Sequence, residues 1–329
     1  MIYIESPSND PAFNLALEQY VFDNMDKSKE YFMLWQNDNT IVVGKHQNTI
    51  SEINMEYVKE NDIKVVRRLS GGGAVYHDMG NLCFTFIVDS GDISSFDFGK
   101  FCVPIVKALG KFGVNAEING RNDMTIDCKK FSGNSQYSKN NRVLHHGTIM
   151  YDSNIGVIAD SLNVSKDKIE SKGVKSVKSR VTNVKDYMKE DIHIDEFKNM
   201  LLKFMFDEGD IEEYKLTDED MKIINKIKEE KYATWEWTFG SSPKYNILKE
   251  RRIEGCGKIE LYMEVNDGII DSLQIYGDYF GNGDSRDISK LLIGCKVEEN
   301  EIKKALRDVD ISHYFSNMTK DEFINIVTC

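Results

Sequence analysis

The spacing of apolar residues changes several times along the chain, and each change marks an element. Phe13, Leu17, Tyr20 and Phe22 give an apolar side to a helix that opens at Asp10-Pro11, with Asp10 as N-cap and Pro11 at the first helical position. Thr40 to Val43 is a β-branched run ending at Gly44 and predicts a strand, and Val65-Val66 leads a second strand into Arg67-Arg68. Leu82 to Val88 is almost continuously apolar, as expected of a buried strand. Phe101 to Phe112 reads as a helix closed by Gly113, and Met124 to Ile126 and Val143 to Met150 as further strands. Residues 186–231 are charged and mostly helical in pattern.

The texture then shifts. WEWTFGSSPKYN, Trp235 to Asn246, is aromatic and turn-rich. Lys258 to Val265, the turn Asn266-Asp267-Gly268, and Ile269 to Tyr276 read as a hairpin. Glu298 to Val309 and Lys320 to Val327 read as helices. A domain boundary is expected near residue 246, giving a domain over 1–246 and a small α+β module over 247–329. A length of 329 residues accommodates both.

Composition narrows the class. With 41% hydrophobic and 29% charged residues, the chain reads as an ordinary soluble globular protein. Its six cysteines, Cys83, Cys102, Cys128, Cys256, Cys295 and Cys329, show no CxxC spacing, so neither a zinc site nor a redox pair is indicated. Scattered thiols, no basic–apolar leader in MIYIESPSNDPAF and no apolar run of transmembrane length predict a cytoplasmic protein that avoids membranes. A net charge of −12 argues against bulk nucleic-acid binding. Against that background Arg67-Arg68, Lys129-Lys130 and Lys166 to Lys185 are basic islands. Such islands are usually solvated surface, but the first two adjoin glycine-rich turns, which points toward phosphate.

The most informative stretch is Arg67-Arg68-Leu69-Ser70-Gly71-Gly72-Gly73-Ala74-Val75-Tyr76-His77-Asp78. Glycines after a strand permit positive φ and close approach of a ligand to successive N–H groups, and Arg68 adds a cation. Neither a GxxxxGK[ST] P-loop nor a dinucleotide fingerprint is present. Lys129-Lys130-Phe131-Ser132-Gly133-Asn134-Ser135 predicts a lysine beside a Ser-Gly turn, able to set its ammonium against a phosphate or carboxylate oxygen. In His145-His146-Gly147-Thr148 the histidines should point to opposite faces of a strand, one toward a pocket, and by themselves they read as core histidines.

Together these motifs resemble the lipoate–protein ligase A family of the biotin/lipoate ligase superfamily. RRLSGGGAVYHDMGN is similar to its lipoate-binding loop, GRND with KFSGNS (Gly120 to Asp123, Lys130 to Ser135) to its lysine motif, and HHGT matches too. KGVKSVKSRVTN (Lys172 to Asn183) is similar to the loop that covers the adenylate. WEWTFGSSPKYN resembles the segment closing the large domain, and IYGDYFGNGD (Ile275 to Asp284) the accessory domain. The resemblance implies an α+β fold: a large domain of mixed β-sheet with flanking helices, plus the small accessory domain. It implies activation of lipoate by ATP and Mg²⁺ to lipoyl-AMP, then transfer to a lysine of lipoyl domains. The acceptors would be acyltransferase subunits of 2-oxo-acid dehydrogenases or the glycine-cleavage H protein, and the ligase a monomer. Lys130 would be the catalytic residue. Arg68, Gly73, Ala74, Val75, Tyr76, Lys130, Lys172 and Arg180 would bind nucleotide. Arg68, Ser70, Gly71, Gly72, His77, Lys130, His146 and Gly147 would bind lipoate, and Asp123 would ligate Mg²⁺ or position a neighbour.

Two alternatives stand beside this reading. One is an ATP-independent octanoyl or lipoyl transferase working through a cysteine acyl-enzyme. The Gly-Asn-Ser motif also occurs in related acyltransferases, and on an alternating strand Cys128 would share a face with Lys130. A packed, structural Cys128 is the commoner role for such a residue. The other is a non-catalytic module binding lipoyl carriers, against which the intact Lys130 argues. The loop from Lys172 to Asn183 is expected to order over the adenylate, with a hinge at Gly240-Ser241-Ser242-Pro243.

Overall fold

The structure is a computed structural model. It describes residues 1–89, 97–120, 122–163, 180–206, 209, 211–240, 247–266 and 268–328. The chain divides into two compact units. The first comprises Met1–Val43, Ile50–Arg67 and Ala74–Thr238; the second comprises Gly44–Thr49, Arg68–Gly73 and Phe239–Cys329. The expected boundary at 246 and most of the expected hinge fall in residues 241–246, outside the described residues.

Among the described residues, the first unit is built on a seven-stranded sheet. Its strands are β1 (Ile2–Glu5), β2 (Tyr31–Trp35), β6 (Asn81–Asp89), β7 (Glu117–Asn119), β8 (Asp123–Ile126), β9 (Lys129–Lys139) and β10 (Arg142–Met150), in the order β1-β2-β6-β10-β9-β8-β7. The β1–β2 pair is parallel and the others are antiparallel, so the sheet is mixed. A smaller sheet joins β3 (Thr40–Val43), β4 (Lys64–Arg67) and β5 (Val75–His77) in the order β4-β3-β5.

Helix α1 (Pro11–Asn24) starts as the sequence predicts: the Asp10 carboxylate accepts from Ala12 N at 3.1 Å, a cap worth about 1 kcal/mol. It is not amphipathic, however. Pro11 to Glu18 and Tyr20 to Phe22 are all buried, because the helix is enclosed rather than laid on the surface. Its C-terminal carbonyls are collected by Arg142, which donates to Phe22 O and Met25 O at 3.1 and 3.2 Å. Helix α2 (Gly99–Lys111) matches the predicted helix, and Gly113 follows it with φ of 79°. The charged stretch after residue 186 contains α3 (Ile194–Met205) and α4 (Asp218–Ile227), the latter opened by a Thr217–Asp220 capping box.

The second unit has an antiparallel sheet of β11 (Ile247–Ile253), β12 (Gly257–Asn266) and β13 (Ile269–Gly277), in that order. The last two form the predicted hairpin. Strand β11 is not legible in the sequence because ILKERRI is too charged to stand out, and its side chains are half-exposed or exposed. Helices α5 (Ser285–Leu292), α6 (Glu299–Ala305) and α7 (Lys320–Thr328) close over this sheet. Ile259, Leu261, Ile288, Leu292, Phe315 and Phe323 are central to a core of its own.

Candidate active site

Lys130 and its neighbours reach one face of the sheet through a β-bulge. Asp123 pairs with Gly133 and Met124 with Ser132, but Thr125 pairs with Lys130, leaving Phe131 as an extra residue in β9. Residues paired across strands share a face. Lys130 therefore lies on the face of Asp123 and Gly133, and by alternation of Ser135. Ser135 is opposite His146, which is opposite Thr85. Strict alternation would have sent Lys130 to the other face, with Asn134 and His145. Lys129 to Ser135, expected as a turn, is thus strand, because hydrogen bonds to both β8 and β10 override the local turn signal of Ser-Gly.

The Lys130 ammonium is held from two sides. Its Nζ is 2.7 Å from Asp123 Oδ1. It also lies over Gly133: a Cβ added there would sit 3.0 Å from Nζ and 3.2 Å from Cε. Gly133 is thus the floor of the lysine, and its N–H donates to Thr148 Oγ1 at 3.1 Å. The ion pair is partly solvated, at 37% and 25% side-chain exposure. It contributes under about 1 kcal/mol to stability and acts mainly to aim the charge. Asp123, expected as a magnesium ligand or positioning residue, is here the counter-ion of Lys130. No group of three or more His, Cys, Asp or Glu residues able to hold a metal occurs among the described residues.

The peptide of Lys130 is anchored as well. Its N–H donates to Arg180 O at 2.8 Å, and its carbonyl accepts from Thr182 N at 2.9 Å, a parallel bridge to Val181. Lys172 and the rest of 164–179 lie outside the described residues.

The two histidines point to opposite faces, as expected. His146 Nδ1 donates to the buried Glu18 carboxylate at 3.0 and 3.1 Å. Glu18 also accepts from Thr85 Oγ1, which accepts from Trp35 Nε1 at 2.9 Å. His145 is fully buried on the other face and stacks on Phe101 at 4.6 Å. Burial, then the neighbouring His146, holds it well below its ordinary value of 6.5, so it is neutral. It ties the motifs together: Gln136 Nε2 bonds His145 Nδ1 at 3.0 Å, and His145 Nε2 bonds Asn134 Oδ1 at 3.2 Å. Gly147 has no room for a Cβ, because Asn134 Oδ1 and the Phe84 ring fill that space. His77, on β5, is buried beside Trp35, with Asn37 Nδ2 at 3.2 Å from its Nδ1. Ala74 and Val75 are half-buried, and the Tyr76 hydroxyl donates to Asn39 Oδ1 at 3.0 Å.

Glu18, Trp35, Thr85 and Asn37 were not anticipated. The one sequence signal was Glu18 itself, a carboxylate directly after the apolar run Leu15-Ala16-Leu17 in a helix that is buried.

Arg68, Ser70, Gly71, Gly72 and Gly73 belong to the second unit. Arg68 shapes this loop, donating to Ser70 Oγ at 3.1 Å, Gly71 O at 2.7 Å and Gly73 O at 2.8 Å. Gly71 and Gly72 lack Cβ atoms because Tyr279 O and the Phe280 ring occupy that space, and Gly72 has φ of 87°. Arg67, beside it in sequence, does different work in the first unit. Its guanidinium donates to Trp237 O and Thr238 O at 2.9 and 2.8 Å, and Trp237 Nε1 returns a bond to Arg67 O at 2.8 Å.

Cys128 is not on a strand. Asp127 and Cys128, with φ of 50° and 63°, form the two-residue turn between β8 and β9. The thiol is exposed, so neither packed burial nor a shared strand face with Lys130 describes it.

The chain has known relatives. Residues 10–206 match the lipoyl protein ligase A/B catalytic domain, and residues 242–327 the bacterial lipoate protein ligase C-terminus. The chain belongs to the lipoyl protein ligase A/B family. It is similar to lipoate-protein ligase LplJ of Bacillus subtilis, 45% identical with 99% of this chain and 100% of that one covered. It is also similar to lipoate–protein ligase 1 of Staphylococcus aureus, 44% identical with 97% of each chain covered. Among solved structures, P. falciparum LipL1 in complex with lipoate shares the fold (TM-score 0.78, 23% identity, 99% and 98% covered). A lipoate-protein ligase A bound with ATP matches at TM-score 0.63 and 25% identity, over 73% of this chain and 97% of that one.

Proposed function

We propose that this chain is an ATP-dependent lipoate–protein ligase. A lipoate carboxylate oxygen attacks the α-phosphorus of ATP and pyrophosphate leaves, giving lipoyl-AMP. A lysine amine of an acceptor protein then attacks the acyl carbon, loses a proton and displaces AMP.

The observation that supports this most directly is the Lys130 ammonium fixed between Asp123 and Gly133. A cation placed before reaction stabilises charge developing on the α-phosphate and carboxylate oxygens without reorganisation. Lys130 is the catalytic residue in this reading. Nucleotide is bound by Arg68, Gly73, Ala74, Val75, Tyr76, Lys172 and Arg180 besides Lys130. Lipoate is bound by Arg68, Ser70, Gly71, Gly72, His77, His146 and Gly147. Magnesium would arrive with ATP and would supply charge neutralisation at the phosphates, with Asp123, here paired with Lys130, as the carboxylate nearest the reacting lysine.

The acceptors are lipoyl domains of 2-oxo-acid dehydrogenases or the glycine-cleavage H protein. A similar structure, 27% identical at TM-score 0.65, is that of a bi-partite lipoate protein ligase and its E2 lipoyl domain from Thermoplasma acidophilum. The ligase acts as a monomer in the cytoplasm; no helix among the described residues is long and apolar enough to cross a membrane. The thiol-based transferase finds no support. Cys83 and Cys102 are buried with their thiols pushed up by burial, Cys102 to about 12, and the full-length relatives are ligases by name.

Mass spectrometry of an apo lipoyl domain incubated with lipoate, Mg-ATP and this protein tests the proposal. A lipoyl mass increment on one lysine that requires all three components is expected; an unchanged mass would overturn it.

A further inference from the structure

The first unit contains a buried chain of side-chain amides that ends on His77. Ser6 Oγ donates to Asn14 Oδ1, and Asn14 Nδ2 donates to Gln36 O at 2.8 Å and Asn37 Oδ1 at 2.9 Å. Asn37 Nδ2 lies 3.2 Å from His77 Nδ1. Asn14, Asn37 and His77 are all at most 3% exposed.

The direction of this chain is fixed at one point. A backbone carbonyl can only accept, so the Asn14 atom facing Gln36 O must be its amide nitrogen. That nitrogen also faces Asn37, so the Asn37 atom there must be its oxygen. The Asn37 nitrogen then faces His77 Nδ1, which must accept. Flipping either amide would set donor against donor or acceptor against acceptor in a buried site, at about 1–3 kcal/mol per unsatisfied group. The other neighbour of Nδ1 agrees: Cys83 Sγ is 3.6 Å away, and burial keeps that thiol protonated. Asn81 Nδ2 in turn donates to Cys83 Sγ at 3.3 Å.

We propose that Asn14 and Asn37 are positioning residues that hold His77 as the Nε2–H tautomer, making it a fixed hydrogen-bond donor to the acyl substrate. The placing of His77 at the acyl site rests on the proposed function; the tautomer does not. His145 follows the same logic on the opposite face. Gln136 Nε2 donates to Asp97 O at 2.9 Å, which forces Gln136 to donate to His145 Nδ1 and leaves Nε2–H to donate to Asn134 Oδ1. His146 is the reverse, with its proton on Nδ1 toward Glu18. The three histidines thus carry an internal contrast.

Long-range ¹H–¹⁵N correlation spectra of the ¹⁵N-histidine-labelled protein at pH 7.5 read the tautomers, with His77 assigned by loss of its signals in His77→Gln. The expected pattern is Nε2–H for His77 and His145. An Nδ1–H pattern for His77 in the unsubstituted protein overturns the proposal, and this needs no variant to fold. In Asn37→Asp the new carboxylate cannot donate, so the proton should appear on His77 Nδ1, and the KM for lipoate should rise about tenfold with the KM for ATP unchanged. Retention of Nε2–H alone in folded Asn37→Asp overturns the positioning role. A tautomer switch with an unchanged lipoate KM overturns instead the placing of His77 at the acyl site.

Discussion

The peptide N–H of Lys130 donates to the carbonyl of Arg180 at 2.8 Å, and the Lys130 carbonyl accepts from Thr182 at 2.9 Å. The residue carrying the ammonium is thereby strapped by the end of the segment that resembles the adenylate-covering loop. Any shift of that segment is passed to the Lys130 backbone. Thr182→Pro deletes one of the two bonds while keeping the extended backbone. We expect adenylate formation to fall roughly tenfold or more, as for a misplaced catalytic group, with folded protein recovered. Single-turnover formation of lipoyl-AMP measures it.

Gly133→Ala tests the floor beneath the lysine. The added methyl would sit 3.0 Å from Lys130 Nζ, the mobile end of a side chain. Stability should change by under about 1 kcal/mol, while adenylation drops about tenfold to a hundredfold. Thermal melting paired with the adenylation rate separates the two effects. Gly71→Ala should lower stability, because its methyl meets the backbone carbonyl of Tyr279, which cannot swing aside.

Cys128→Ser should keep nearly all ligase activity. The thiol is exposed on a two-residue turn, and no step of the adenylate mechanism acylates sulfur. A trapped acyl-cysteine at this position, with loss of activity in the variant, would reinstate the transferase reading.

His145 should give acid sensitivity of known sign. Burial holds it well below 6.5 in the folded chain, whereas in the unfolded chain it titrates near 6.5. Between those two values the unfolded state binds one more proton. Stability therefore falls as pH drops below about 6.5, with this group adding a slope of about 1.4 kcal/mol per pH unit. Denaturant melts from pH 7.5 to 5 should show that component, and His145→Gln should lack it.

Much of this was legible in the sequence. Asp10-Pro11 announced α1, Gly113 closed α2, and the opposite aims of His145 and His146 followed from strand alternation. The bulge at Phe131 was not legible, because it is a property of the β8–β9 register and not of KKFSGN read locally. Nor was the grouping of Arg68 to Gly73 with Tyr279 and Phe280, since about two hundred residues separate partners that meet only in the fold. Glycines that suggested room for a ligand have their Cβ space at Gly71 and Gly72 taken by protein. Asn14 and Asn37 look like ordinary polar residues until burial makes every lone pair count.

If Lys130 promotes adenylation of lipoate, removing its ammonium must slow that step. Lipoate-dependent exchange of labelled pyrophosphate into ATP, measured for the unsubstituted protein and for Lys130→Ala, tests it most directly. Exchange should need lipoate and Mg²⁺ and should fall about a hundredfold or more in a Lys130→Ala protein that still melts cooperatively. Absence of exchange in the unsubstituted protein, or undiminished exchange in the variant, would contradict it.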